Sequence, residues 1–169
     1  MRRLLLFGVL IAAGACGSST SNSGPSGMNA QVGFTWLGTV TQTTAGPNGA
    51  VCLLSFQGAN GTADSWTIQM TQNDTAVTAV AVSNNSGQTC NYTGTVGPSA
   101  LTLNMTACSP PGFPLTCGDA YLATRTLSGT VNGTVIQGTT AESWNVYATG
   151  DTTTILSTIT TTGNFIFRR

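Results

Sequence analysis

Side chains that could carry out chemistry are few and widely spaced in this sequence of 169 residues. It contains no histidine, and its five basic residues are all arginines, so a serine nucleophile would lack the neighbouring base that activates it. Two carboxylates could still act as acid and base. The candidates mostly fall at predicted turns or strand ends: Asp64, Asp74, Asp119, Glu142 and Asp151. We therefore expect a protein that is not an enzyme and needs no cofactor.

One arginine and one glutamate could meet on a predicted β-hairpin. Asn132-Gly133 favours a type I′ turn, in which both central residues have positive φ. Counting outward from it places Arg125 opposite Thr140 and Glu142 diagonal to Arg125. Both charges share strand parity with the apolar residues Leu127, Ile136, Trp144 and Val146. We favour a salt bridge at the rim, worth at most ~1 kcal/mol; the alternative is a buried pair that orients a ligand.

Four cysteines beyond residue 30 predict two disulfides in an oxidising compartment. Cys108 and Cys117 flank the proline-rich segment SPPGFPLT, which shows no strand pattern. Cys52 and Cys90 share parity with neighbouring apolar residues, so both are expected to point inward. We predict the pairs Cys52–Cys90 and Cys108–Cys117, each worth about 2–4 kcal/mol. The spacings fit no zinc motif, so no metal site is expected.

Between the turn signals, apolar and polar residues alternate as in half-buried β-strands. Turn signals such as Asn60-Gly61, Asn73-Asp74 and Gly97-Pro98 recur every twelve or thirteen residues, which is typical of an all-β sandwich or barrel. In one strand Trp66, Ile68 and Met70 share a face. The predicted strands are 33–43, 50–57, 64–72, 75–83, 88–96, 99–107, 120–131, 134–148 and 153–167.

These strands predict an antiparallel up-and-down meander of eight or nine strands. Closure into a small barrel would remove the two exposed edges of such a meander. A two-sheet β-sandwich is the alternative architecture. The segment 31–169 is long enough to form one domain with its own core.

The N-terminal segment has the order of a secretory signal: two arginines, an apolar run too short to span a bilayer, and small residues. Ala13, Gly14 and Ala15 lead into Cys16, and this ending resembles the lipobox of bacterial lipoproteins. The resemblance implies that residues 1–15 are removed and that Cys16 carries the lipid, including palmitate. Residues 16–30 then form a Gly/Ser-rich tether. By the same resemblance, Gly17 favours the outer membrane, on its periplasmic face or at the cell surface.

The first predicted strand contains Gly33, Phe34 and Trp36, which resemble the opening strand of lipocalins and related calycin barrels. In that family a glycine precedes a tryptophan that plugs one barrel end, although Gly33 stands three residues before Trp36 rather than two. An arginine often packs on that ring, and the resemblance implies this position for Arg125. Trp144, like Trp36, is expected in the barrel interior.

Two hypotheses about function remain open. The residues after 30 contain three arginines against five acidic residues, a net charge of −2, so a nucleic-acid binder is excluded. We favour a monomeric interaction or structural β-domain in the cell envelope, whose partner the sequence does not identify. The alternative is a lipocalin-like binder of a small apolar ligand inside the barrel. An interior packed solid would support the first, and a cavity of several hundred Å3 would support the second.

Overall fold

A computed structural model describes residues 29–169. The signal segment, Cys16 and most of the tether lie outside these residues. Nine β-strands and one short helix follow in the order β1 Thr35–Gly46, α1 Leu53–Gln57, β2 Ala63–Asn73, β3 Ala76–Ser83, β4 Thr89–Val96, β5 Ala100–Ser109, β6 Gly112–Leu115, β7 Gly118–Asn132, β8 Val135–Tyr147 and β9 Ile155–Arg168. Within the described range, no helix has the length and apolar character needed to cross a bilayer.

The strands form an antiparallel meander that closes on itself. Consecutive barrel strands pair in order, β5 pairs with β7, and β9 returns to pair with β1. Eight strands therefore make a closed barrel, and β6 is an extra strand on the edge of β7. The predicted all-β barrel is confirmed, and the ring of pairings excludes the alternative of two separate sheets.

Alternation along the strands decides which side chains face the interior. Trp66, Ile68 and Met70 are buried as predicted, and Thr71 on the opposite face of β2 is exposed. The same holds in β9, where Phe165 and Phe167 are buried. One face of each strand thus supplies the apolar core, while threonine and other uncharged polar residues cover the outside.

Two predictions about secondary structure are wrong. Residues 50–57 do not form a strand, because Leu53 and Phe56 point inward at helical spacing in α1 while Leu54 is 82% exposed. The proline-rich segment, expected to be a loop, contains β6. Pro114 cannot donate a hydrogen bond, and an edge strand such as β6 tolerates this loss.

One end of the barrel is closed by aromatic side chains. Trp36 is fully buried there, and its Nε1 donates to the carbonyl oxygen of Val32 at 3.0 Å. The guanidinium of Arg169 lies 3.9 Å from the ring centroid of Phe34 and 5.3 Å from that of Trp36. The arginine on Trp36 is therefore Arg169 and not Arg125, because β9 ends beside the start of β1.

The closed half of the barrel is packed tightly. Gly129 and Gly138 face each other on β7 and β8, and a Cβ on Gly129 would lie 2.8 Å from a ring carbon of Phe165. The glycine thus makes room for an aromatic ring and not for a ligand. Space inside the barrel is found at the other end, where α1 and β6 lie.

Candidate ligand-binding cavity

A cavity of about 300 Å3 occupies the open end of the barrel. Its walls come from the inward faces of β1, β2, β7, β8 and β9, with residues of α1 and β6 beside the opening. Apolar atoms make most of its surface, and its charged residues are Asp64, Arg125 and Glu142. This composition, a largely apolar concave site with a few polar groups, is typical of small-molecule sites.

Three aromatic rings form a cluster at the mouth of the cavity. The ring centroid of Trp144 lies 5.6 Å from that of Phe56 and 5.2 Å from that of Phe113. Phe56 and Trp144 are buried, whereas Phe113 on β6 is 41% exposed. The helix and the extra strand, both absent from the sequence prediction, therefore contribute rings to the mouth. Trp144 lies in the interior as expected, and Trp36 lies at the opposite end.

Arg125 and Glu142 form a buried ion pair in the cavity wall. Arg125 Nε donates to Glu142 Oε1 at 2.6 Å, and the side chains are 6% and 11% exposed. The interpretation as a rim salt bridge is therefore wrong. Arg125 lies directly opposite Glu142 and not diagonal to it, because Gly133 and Thr134 are the central turn residues. Only Gly133 has positive φ, as at the first central position of a type II′ turn.

Both oxygens of the Glu142 carboxylate accept hydrogen bonds from protein groups. Oε2 accepts hydrogen bonds from Trp144 Nε1 at 2.9 Å and from Thr161 Oγ1 at 3.0 Å. Two neutral donors and one guanidinium therefore hold this carboxylate in place, as a buried charge requires.

Arg125 makes three further contacts. Its Nη1 donates to Tyr92 Oη at 3.5 Å and to Cys90 Sγ at 3.6 Å, and its guanidinium carbon lies 4.8 Å from the ring centroid of Trp66. Burial by itself would lower the pKa of Arg125, but Glu142 and Tyr92 raise it above the ordinary value. Burial also raises the pKa of Tyr92, although Arg125 opposes that rise. Arg125 is thus a permanent charge whose partners are all protein groups.

Asp64, which the sequence offered only as one of five candidate carboxylates, is the third charged residue of the cavity. It lines the cavity from the start of β2, and its Oδ2 accepts a hydrogen bond from Trp66 Nε1 at 2.6 Å. Its Oδ1 is buried and has no hydrogen-bond partner among the described residues. Most carboxylates at strand ends are exposed, so the position of Asp64 did not mark it as part of a site. The one signal in the sequence was that Asp64 shares strand parity with Trp66.

Two disulfides hold the elements around the cavity, and their pairing differs from the predicted one. Cys52 bonds to Cys117, which joins the start of α1 to the turn between β6 and β7, and Cys90 bonds to Cys108. The parity argument failed because β5 carries a bulge: Asn91 pairs with Ala107 and Tyr92 with Met105. The extra residue turns Cys108 onto the face of Cys90.

The described residues contain no cluster of three or more potential metal ligands. Comparison of the chain with protein-family models, with characterised proteins and with solved structures finds no match. A small β-barrel supports many unrelated functions, so the fold alone does not select one.

Proposed function

We propose that this chain is a lipid-anchored β-barrel that binds a small, mainly apolar molecule in the cavity at its open end. The cavity of about 300 Å3 supports this proposal, because an interaction or structural domain was expected to have a solidly packed interior. We also propose a binding and not a catalytic role, since the sequence contains neither histidine nor lysine.

The size of the cavity limits the ligand to a small molecule. An apolar cavity of ~150 Å3 holds benzene, and ligand sites generally begin near ~300 Å3. The volume of about 300 Å3 therefore fits one aromatic ring with a short chain, or two small rings. The four aromatic residues in the walls would contact such a ligand: Phe56, Trp66, Phe113 and Trp144.

The lipid anchor is the second part of the proposal. It is supported by the lipobox-like ending at Cys16 and by the Gly/Ser-rich residues after it. In this proposal the outer membrane carries the protein. β1 begins at the closed end, so the segment that leads from the anchor meets the barrel opposite the cavity mouth.

A partner-docking domain is the second candidate function. Four exposed apolar side chains at the open end favour it: Val51, Leu54, Ile155 and Leu156. These side chains lie in or next to α1 and at the start of β9, at the end of the barrel that holds the cavity. A hydrogen bond from Ser157 Oγ to the carbonyl oxygen of Val51, at 3.1 Å, joins the two segments. We rank this function second, because exposed apolar side chains do not account for a cavity.

Binding is tested with the uncharged two-ring fluorescent probe 2-naphthol and the purified full chain. We expect saturable one-to-one binding that fails when Ala59, which lines the cavity, is replaced by phenylalanine. Ala63 is exposed and does not line the cavity, so Ala63→Phe is the matched control and should bind normally. Binding that does not saturate, or that both variants weaken equally, would contradict the proposal.

A further inference from the structure

We infer that the ligand carries a protonated amine, which binds Asp64 in the wall of the cavity. This inference rests on the proposed function, because it assigns the chemical class of the molecule that occupies the cavity. It is carried by the hydrogen bonds and the charges of the residues in the cavity wall.

The first support is the unequal hydrogen bonding of the Asp64 carboxylate. Oδ2 accepts from Trp66 Nε1, whereas Oδ1 is buried and has no partner among residues 29–169. A buried acceptor without a donor is costly, and more so when it belongs to a carboxylate. The carboxylate thus receives one hydrogen bond from the protein, and because Asp64 lines the cavity, an ammonium group bound there would give it a second donor.

The second support is the charge of the cavity wall. Its charged residues are Asp64, Arg125 and Glu142. Arg125 and Glu142 neutralise each other, and both oxygens of Glu142 accept hydrogen bonds from protein donors. Asp64 therefore leaves one uncompensated negative charge. A cationic ligand neutralises this charge, an uncharged ligand leaves it, and an anionic ligand is repelled.

The third support is the aromatic wall. The guanidinium of Arg125 already lies over Trp66. Over the rings of Phe56, Phe113 and Trp144, in contrast, no arginine of the described residues is stacked. An ammonium group is attracted to the faces of such rings, and an apolar chain attached to it packs against them. The same walls thus suit both ends of an aromatic or alkyl amine.

The experiment compares three ligands that share one skeleton: 4-phenylbutylamine, 4-phenylbutan-1-ol and 4-phenylbutanoate. Calorimetry with the full chain at neutral pH gives the dissociation constant of each. We expect the amine to bind about tenfold more tightly than the alcohol, because both donate a hydrogen bond to the Asp64 carboxylate but only the ammonium group carries the opposite charge. The carboxylate should bind most weakly.

Two matched variants locate the charge effect. In Asp64→Asn the amide oxygen still accepts from Trp66 Nε1, so the barrel is retained, while the negative charge is lost. This variant should bind the amine and the alcohol equally. Asp74 is exposed in the turn between β2 and β3, and its φ of 55° is tolerated by asparagine. Asp74→Asn should therefore keep the full preference for the amine.

The outcomes separate the inference from the proposed function. If the alcohol binds as tightly as the amine to the unmodified chain, the inference is wrong and the binding function stands. If Asp64→Asn keeps the preference for the amine, Asp64 is not the group that binds it, and the inference is again overturned. If none of the three ligands binds, and 2-naphthol also fails to bind, both proposals are overturned.

Discussion

Removal of one member of the Arg125–Glu142 pair should destabilise the barrel far more than removal of both. Glu142→Gln keeps the shape of the side chain and removes its charge. In either orientation of the new amide, its nitrogen faces a donor, which is Arg125 Nε or Trp144 Nε1. The guanidinium, on a residue only 5% exposed, then has no carboxylate partner. Breaking a buried pair in this way costs about 3–5 kcal/mol of unfolding free energy.

Arg125→Met should lower the unfolding free energy by less than Glu142→Gln does. In Arg125→Met the Glu142 carboxylate loses its guanidinium but keeps the donors Trp144 Nε1 and Thr161 Oγ1. The double variant leaves no unpaired charge at this position, so its loss should fall well below the sum of the single losses. We expect a coupling energy of ~2 kcal/mol or more.

Equilibrium unfolding in urea, followed by tryptophan fluorescence, measures these free energies. Arg168→Met is the matched control, because Arg168 is exposed on β9 and should tolerate the change within about 0.5 kcal/mol. Single losses below about 1 kcal/mol, with additive effects in the double variant, would refute the assignment of a buried and coupled pair.

Three further predictions concern the covalent framework and the pH dependence. Cys16→Ser should release the protein from the membrane fraction and abolish palmitate labelling; continued sedimentation with label would contradict the anchor. Non-reducing peptide mapping should recover Cys52–Cys117, whose loss should cost up to about 4 kcal/mol for a separation of 65 residues, and a Cys52–Cys90 peptide would contradict the structure. Burial favours the neutral form of Tyr92 and raises its pKa above the unfolded value of 10.0. The contribution of Tyr92 to the unfolding free energy is therefore complete below pH 10.0 and is lost as the pH rises through the folded pKa. Tyr92→Phe should therefore reduce the loss of unfolding free energy above pH 10.0, and an unchanged alkaline profile would count against this cause.

Strand alternation was sufficient to predict the barrel, because inward and outward residues follow one another strictly along most strands. It failed at α1, where Cys52, Leu54 and Phe56 share a parity that suggested a strand. In the structure Phe56 is buried with Leu53, and Leu54 faces solvent. A helix of five residues is too short to show its period in a sequence.

The candidate site was predicted only in part. The Arg125–Glu142 pair was found because strand parity survives an error of one residue in the position of a turn. Asp64 was named among five candidate carboxylates but was not placed in a site, because no local pattern shows which carboxylate at a strand end will line a cavity. The disulfide pairing was missed because parity does not survive the bulge that sets Ala107 opposite Asn91.

The three departures from a regular barrel, which are α1, β6 and the bulge in β5, lie around the cavity, and the pairing of β7 shows why. β5 pairs with β7 only at residues 126–130, whereas β6 pairs with it at residues 118–121. Residues 122–125 of β7 lie between these two stretches and are paired with neither β5 nor β6 in register. Arg125 is one of these residues. The bulge and the Cys90–Cys108 bond hold the end of β5 on β4, while Cys52–Cys117 holds α1 beside β6. A fully regular barrel would continue the apolar packing of the closed end; the departures from regular pairing leave room for a cavity and expose buried polar groups to whatever enters it.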